Sequence, residues 1–258
     1  ISCDCGGTMT RIGDVGNPWL DAGIVPFSTP VDPQAKKVSY TDDQKYFSKW
    51  FPADFITESF PGQFKNWFYA MIAMSTVLED VPPYNTVLGF ASMLGEDGRP
   101  MHKSWGNSIE FNEGADKIGV DVMRWTFLRH NPERNLLFGY KMAGETKRQF
   151  HMMLWNSFRF FINNALLDGY VYKTPKNLSE NVLDKWVLLR LDEVCKTVTA
   201  SLEKYDAATA TLALEKFVAD LSTWYIRRSR DRGGPTSIDK SDKEACYDTL
   251  YQVFLTLS

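Results

Sequence analysis

The chain has 258 residues, 44% hydrophobic and 24% charged, which is ordinary globular composition with length for one large or two medium cores. Its net charge of −3 excludes a surface that binds polyanions everywhere, so any nucleic-acid contact must come from a local basic patch. The four cysteines do not make a disulfide framework and fit a reducing compartment, and no apolar run of about 18 residues offers a membrane span, so a cytoplasmic protein is expected.

The sequence opens at Ile1 without a signal-peptide pattern and stops at Ser258 inside an apolar helical pattern, as expected of a piece of a longer chain. Cys3-Asp4-Cys5-Gly6-Gly7 looks like half of a zinc knuckle. A structural zinc needs four ligands, and His102, His130 and His151 are scattered, so no zinc site is expected within these residues. Residues 8–12 pattern as a short strand. Residues 14–30 carry Gly16, Pro18, Gly23, Pro26 and Pro30 and read as loop. Trp19 within that loop is either a plug on the core edge or the wall of a pocket. Residues 31–44 are polar and read as a surface insertion.

Ala53-Asp54-Phe55-Ile56-Thr57-Glu58 has a strand pattern that ends at a carboxylate. A helix is predicted over 63–78 from the spacing of Phe64, Phe68, Met71, Ile72, Ser75 and Leu78, followed by a buried strand over 85–93. Strand–helix–strand implies a right-handed crossover and a parallel sheet. Ligands of such sheets sit beyond the carboxyl ends of the strands, so Glu58 and the segment after the second strand are expected to face one crevice. That segment is Asp97-Gly98-Arg99-Pro100-Met101-His102-Lys103-Ser104-Trp105-Gly106-Asn107. Read alone it is a basic surface turn, or a loop whose lysine follows a phosphate as charge develops. Its place after a parallel strand favours the second.

From residue 111 onward the pattern is helical. Helices are predicted over 121–130, with Asp121 as cap and Asn131-Pro132 as stop, and over 144–167, closed by Asp168-Gly169. A third runs from Ser179 to Tyr205 with Ser179 as cap and Glu180 as first-turn charge. A fourth covers 207–232, capped by Asp206 and ended by Gly233-Gly234, and a last covers 241–257. This half reads as an all-α bundle. Arg227, Arg228, Arg230 and Arg232 crowd one helix end, either to complement its dipole or to contact phosphates.

Four blocks taken together, Ala53 to Glu58, Gln63-Phe64-Lys65-Asn66-Trp67-Phe68-Tyr69, Met101 to Asn107 and Trp224-Tyr225-Ile226-Arg227-Arg228-Ser229-Arg230, resemble the isoleucyl-tRNA synthetase family of class I aminoacyl-tRNA synthetases in order and spacing. The resemblance implies an α/β fold followed by an all-α one. Residues 1–110 would be the second half of a Rossmann-type parallel-sheet domain with its signature loop at 97–107. Residues 111–175 would be a helical connecting, stem-contact region, and 176–258 a truncated anticodon-binding bundle. It implies ATP with Mg²⁺, L-isoleucine and tRNA(Ile) as partners, and a monomer. Lys103 then matches the signature lysine that contacts the ATP phosphates, beside Ser104. Glu58 and Gln63 match groups at the aminoacyl-adenylate. Trp19 and Trp67 match walls of the amino-acid pocket, and the four arginines become tRNA contacts.

The chain departs from the family pattern in places. Pro100 stands where the signature has its first lysine, and His102 where it has its first serine. The family's Gly-x-Asp-Gln reads Ser59-Phe60-Pro61-Gly62-Gln63, one residue longer and without the aspartate. The His-Ile-Gly-His signature and the editing insertion are absent, and a hydrophobic pocket alone separates isoleucine from valine only modestly. These 258 residues alone are therefore expected to be neither a competent nor an accurate enzyme. The alternatives are a valyl- or leucyl-tRNA synthetase, or a non-catalytic synthetase-like RNA-binding module.

Overall fold

The computed structural model describes residues 3–10, 13, 16, 18–34, 36–173 and 179–258. The strand read at 8–12 falls partly on Arg11 and Ile12, outside the described residues. The chain divides into two compact units, Ile1–Ser92 and Met93–Ser258. The signature loop therefore belongs to the second, mostly helical unit, and the boundary falls earlier than the 110/111 division expected from the sequence.

In the first unit, the stretch read as loop holds two short helices, α1 (Pro18–Ala22) and α2 (Val25–Ser28). Of the prolines that suggested breaks, Pro18 and Pro26 sit in the first turn of α1 and α2, where a missing N–H costs nothing. The hairpin of β1 (Val31–Asp32) and β2 (Lys37–Val38) is antiparallel. It leads into α3 (Ser39–Asp42) and α4 (Gln44–Phe47), the latter capped by Asp43, which accepts the Tyr46 N–H at 3.0 Å. This segment is more than a surface insertion. Phe47 is buried and stacks with Phe27 and Phe51, while Tyr40 meets Phe27 edge-on at 5.1 Å.

The predicted parallel pair is present. β3 (Ala53–Ser59) lies beside β4 (Tyr84–Phe90), with Glu58 opposite Gly89. Between them a continuous helix runs through α5 (Phe60–Gln63), a π-turn (Phe64–Phe68) and α6 (Tyr69–Leu78). Phe68, Met71 and Ser75 are buried as the spacing predicts, but Phe64, Ile72 and Leu78 are exposed. The π-turn explains Phe64, because one inserted residue rotates what precedes it by about 100°. Ser75 Oγ donates to the Val81 carbonyl at 2.6 Å and fixes the exit toward β4. The strand expected at 85–93 is in fact two strands with different partners. β4 pairs with β3, and β5 (Met93–Gly95) pairs in parallel with β6 (Leu136–Phe138). Val87 and Phe90 on β4 are exposed rather than buried, since β4 has a single strand partner among the described residues.

In the second unit β6 escaped the sequence reading because three residues are too few to show alternation. Glu110 caps α7 (Phe111–Ile118) by accepting the Glu113 N–H at 3.0 Å. α8 (Val120–Leu128) starts from Gly119 without a side-chain cap, so Asp121 supplies first-turn charge and not the cap. Ile118, Val122, Met123, Phe138 and Ala143 form the local core. The next helix begins earlier than predicted, as α9 (Tyr140–Thr146), a π-turn (Lys147–His151) and α10 (Met152–Leu167).

The bundle follows. α11 (Val182–Leu202) is capped by Asn181 and not by Ser179. Ser179 Oγ instead donates to Asp184 at 2.6 Å, and Glu180 pairs with Lys185 at 2.6 Å. Asp206 caps α12 (Ala207–Asp220) as predicted, and the helix continues through a π-turn (Leu221–Ile226) into α13 (Arg227–Gly233). Asp239 caps α14 (Lys240–Leu257). Val187, Phe217, Leu221, Tyr225, Leu250 and Val253 are fully buried and form the centre of the bundle. Glu215 of α12 ties the bundle to α8, accepting from Trp125 Nε1 and Arg129 Nη2, both at 2.9 Å.

Candidate functional site

The loop at 97–107 is built from β5 outward. The Gly95 N–H donates to the Arg99 carbonyl at 2.9 Å, and Leu94 bridges Pro100, so the turn doubles straight back. Asp97 captures Arg99 three ways, accepting its backbone N–H at 3.0 Å and its guanidinium at Nε and Nη2, both at 2.7 Å. Those bonds, the backbone N–H first, hold the Asp97 carboxyl below its usual range. Asn107 then clasps the far side. Its Oδ1 accepts the His102 N–H at 2.9 Å and its Nδ2 donates to the Pro100 carbonyl at 3.0 Å.

Between these ties, Lys103–Trp105 form a single 3₁₀ turn that closes on Gly106 at φ +69°, a conformation that favours glycine. His102 packs edge-on against Trp105 at 4.4 Å. Lys103 and Ser104 are exposed, and the Lys103 side chain has no ion pair or hydrogen bond among the described residues. The loop thus neutralises its arginine and presents its lysine. Asn107 is the residue that sequence reasoning passed over. Its only signal was a side-chain amide just after a Gly at a turn.

In the first unit the Glu58 carboxylate stands half-buried at the end of β3 and accepts the Ser59 N–H at 2.7 Å. The helix after it starts at Phe60, so Gln63 is not at its N-terminus; its Oε1 accepts the Trp67 N–H at 3.4 Å. Trp67 is also held by its indole, which donates to the Ala22 carbonyl at 3.0 Å. α1, which carries Trp19, docks on the same helix at very close range. A Cβ on Gly23 would sit 2.6 Å from the Ala70 carbonyl oxygen. The fold therefore brings Trp67 and the Trp19-bearing helix together, with Trp19 itself 52% exposed. Glu58, Gln63, Trp19 and Trp67 lie in one unit, and Lys103 and Ser104 lie in the other.

The four arginines part company. Arg227, Arg228 and Arg230 are exposed and form no ion pair among the described residues. Arg232 turns inward, only 11% of its side chain exposed, and pairs with Asp184 at 2.6 Å and Asp242 at 2.7 Å. It is committed to the bundle and not available to a phosphate. Asp184, which is fully buried, also accepts from Tyr225 Oη at 2.6 Å. Arg232 holds the Asp242 carboxyl below its usual range, and burial raises the neighbouring Cys246 thiol to about 11.

At the other end of the chain, Cys3 and Gly7 close a turn by a 2.8 Å backbone bond. The Cys5 thiol is lowered by its hydrogen bond with Cys3. No group of three or more His, Cys, Asp or Glu that could hold a metal occurs among the described residues.

Residues 3–138 match the family "tRNA synthetases class I (I, L, M and V)". The chain belongs to the class I tRNA synthetases. Residues 184–258 match the anticodon-binding domain of tRNA ligases, a region that opens on Asp184 of the buried hub. Among relatives of this class I synthetase chain, the isoleucine–tRNA ligase of Dehalococcoides mccartyi is 37% identical over 263 residues, 99% of this chain and 25% of that protein. Those of Clostridium novyi and Thermus thermophilus are 36% and 34% identical over 98% and 100% of the chain, each covered to 24%. The chain thus spans about a quarter of the length of these curated relatives.

The fold is shared with solved synthetases of the same class. An Agrobacterium radiobacter K84 LeuRS–tRNA–LeuAMS ternary complex matches 99% of this chain and 31% of that one, at TM-score 0.67 and 17% identity. A Mycobacterium tuberculosis methionyl-tRNA synthetase in complex with methionyl-adenylate matches 83% and 42%, at TM-score 0.65 and 19% identity. No helix among the described residues is long and apolar enough to cross a membrane.

Proposed function

We propose that the chain is the signature-loop and anticodon-side portion of an isoleucine–tRNA ligase that activates L-isoleucine with ATP and transfers it to tRNA(Ile). The observation that carries this reading is the exposed, uncommitted Lys103 on a clasped turn, in a chain that matches isoleucine–tRNA ligases from end to end. Activation is in-line attack of the amino-acid carboxylate on the α-phosphate of ATP, with pyrophosphate leaving, and Mg²⁺ enters with ATP as its substrate complex. Negative charge builds on the leaving group. An ammonium with no carboxylate partner is free to follow it, and a preorganised turn supplies that charge without rearrangement at the moment of reaction. Ser104 adds a hydroxyl donor beside it.

Glu58 and Gln63 are assigned to the aminoacyl-adenylate, where a carboxylate accepts from the substrate ammonium or from hydroxyls. Trp19 and Trp67 are assigned to the aliphatic side chain. Arg227, Arg228 and Arg230 are assigned to tRNA phosphates. The protein would work as a monomer in the cytoplasm.

The test is amino-acid-dependent pyrophosphate exchange by the full-length protein with isoleucine, valine and leucine. Exchange with isoleucine is expected, falling about 100-fold or more in Lys103→Ala. Exchange with valine and none with isoleucine would overturn the assignment of substrate. Unchanged exchange in Lys103→Ala would overturn the role of the loop.

A further inference from the structure

We infer that Asn107 is a positioning residue for Lys103: its side-chain amide closes the tip of the loop, and the lysine reaches the phosphates from that closed shape. The inference rests on the reading of the loop as a phosphate-handling one and adds the residue that aims it.

Residues 102–106 are an unbroken exposed run that carries Lys103. The bonds inside this tip are local. The Trp105 N–H donates to the His102 carbonyl at 3.0 Å, and the Gly106 N–H to that of Lys103 at 3.2 Å. They curl the backbone into one turn, but a turn hinged at both ends still swings. The tie to the hairpin below comes from Asn107, half-buried where the tip rejoins it. Its Oδ1 accepts the His102 N–H at 2.9 Å and its Nδ2 donates to the Pro100 carbonyl at 3.0 Å. A carbonyl and the N–H two residues further on are the groups that a parallel strand partner engages. A primary amide carries a donor and an acceptor in one plane and takes that partner's place. The bond to His102 joins the two ends of the tip, so Lys103 projects from a closed ring instead of an open arm.

The ring has an anchored base. The Asn107 amide lies against Gly95, the buried last residue of β5, where a Cβ would sit 3.5 Å from Nδ2. The next residue, Glu96, accepts the Met142 N–H in the first turn of α9 at 2.9 Å. Gly139 leaves room for that side chain, since a Cβ there would lie 2.2 Å from Glu96 Cγ. The hairpin is thereby fixed to α9, and Asn107 carries the fixation on to the tip.

The same contacts account for the two departures from the family's signature. Pro100 and His102 stand where the signature has its first lysine and first serine, and they are the two residues whose main-chain groups Asn107 holds. Proline still offers a carbonyl and fixes its own φ, while His102 keeps the N–H that a second proline would lack. The His102 ring also braces Trp105 edge-on at 4.4 Å. A loop left with one cation of two gains most from holding that cation in place, because a charge already in position needs no reorganisation at the moment of reaction.

The experiment is pyrophosphate exchange with isoleucine by the full-length protein, comparing Asn107→Ala, Lys103→Ala and the double variant. Asn107→Ala is expected to lower kcat about tenfold or more while the KM for isoleucine stays within about twofold. The double variant should be within about twofold of Lys103→Ala, because a group that acts only through the lysine has nothing left to position. Asn107→Leu, similar in size and without either hydrogen bond, should match Asn107→Ala. Thermal unfolding of each variant reports whether it is folded, and Asn107→Leu decides should the alanine variant fail to fold.

The outcomes separate the two readings. If Lys103→Ala leaves exchange unchanged, the phosphate-handling reading of the loop fails and the positioning role falls with it. If Lys103→Ala is slow while Asn107→Ala and Asn107→Leu exchange within about twofold of the unmodified protein, the loop reading stands and the positioning role is overturned. If the two losses multiply in the double variant, Asn107 acts independently of Lys103 and the proposal is wrong.

Discussion

In the loop at 97–107 the arginine is folded back and the lysine left outside; at the helix end over 227–232 one arginine is folded in and three are left outside. Both stretches are short and cationic, but their committed arginines sit in different surroundings. The Arg99 and Asp97 side chains are 67% and 39% exposed, so water and salt screen their attraction. Arg232 is 11% exposed and Asp184 not at all, and the guanidinium meets that carboxylate through two nitrogens, at 2.6 and 2.9 Å. The first pair shapes a turn. The second fills a polar hole in the core, where either partner left alone would be a buried unpaired charge. Within these two stretches, and among the described residues, the cations with no carboxylate folded onto them are Lys103 in the first and Arg227, Arg228 and Arg230 in the second.

The largest expected effect comes from breaking the buried pair. Arg232→Met leaves Asp184 without its cation and should destabilise the bundle by about 3–5 kcal/mol, read from chemical unfolding of the full-length protein. Joint replacement of Arg232 and Asp184 by apolar residues should recover much of that loss. Recovery of none of it would show that the hub does more than balance charge.

A smaller effect follows from acid. The Asp242 carboxyl is held below its unfolded value by Arg232, so it contributes stability above the ordinary carboxylate pKa, and that contribution is lost as pH falls through the lowered value. The unfolding midpoint should therefore drop between neutral pH and about pH 3, and Asp242→Asn should flatten part of that drop. An unaltered pH profile in Asp242→Asn would remove Asp242 from the account.

The smallest effect belongs to the exposed pair. Arg99→Ala should leave the unfolding midpoint essentially unchanged and pyrophosphate exchange within about threefold, because a screened surface pair adds little. A loss as large as that expected for Lys103→Ala would mean that Arg99 leaves Asp97 and joins the phosphates, and the contrast between the two cations of the loop would be wrong.

Much of the fold was legible from residue order. The crossover from β3 to β4 followed from a strand pattern, a helical period and a second strand pattern. The cap at Asp206 followed from residue type at the right position, whereas the stop at Gly233-Gly234 comes without a left-handed glycine, Gly234 having φ −89°. Errors arose where a local signal had two meanings. Pro18 and Pro26 break a loop or start a helix equally well, and they start α1 and α2. Asp121 and Ser179 are both plausible caps, but Gly119 and Asn181 stand at the helix entries. Among the described residues three π-turns each add a residue to a helix, and no periodicity count anticipates them. In the candidate site, the tight turn at Asp97-Gly98 was legible as a local feature, whereas the Asn107 clasp depends on how the loop closes.

By itself the sequence determined which residues are cationic, the strand–helix–strand crossover and the long helices of the bundle, and in what order the family's blocks occur, because propensity and periodicity act between near neighbours. The tertiary structure alone decided which cations remain free. Arg232 meets Asp184 from 48 residues away, across two helices that only packing brings together. In water that separation would make the pair irrelevant. In the desolvated centre of the bundle it consumes the charge, whereas Arg227, Arg228 and Arg230 stay exposed.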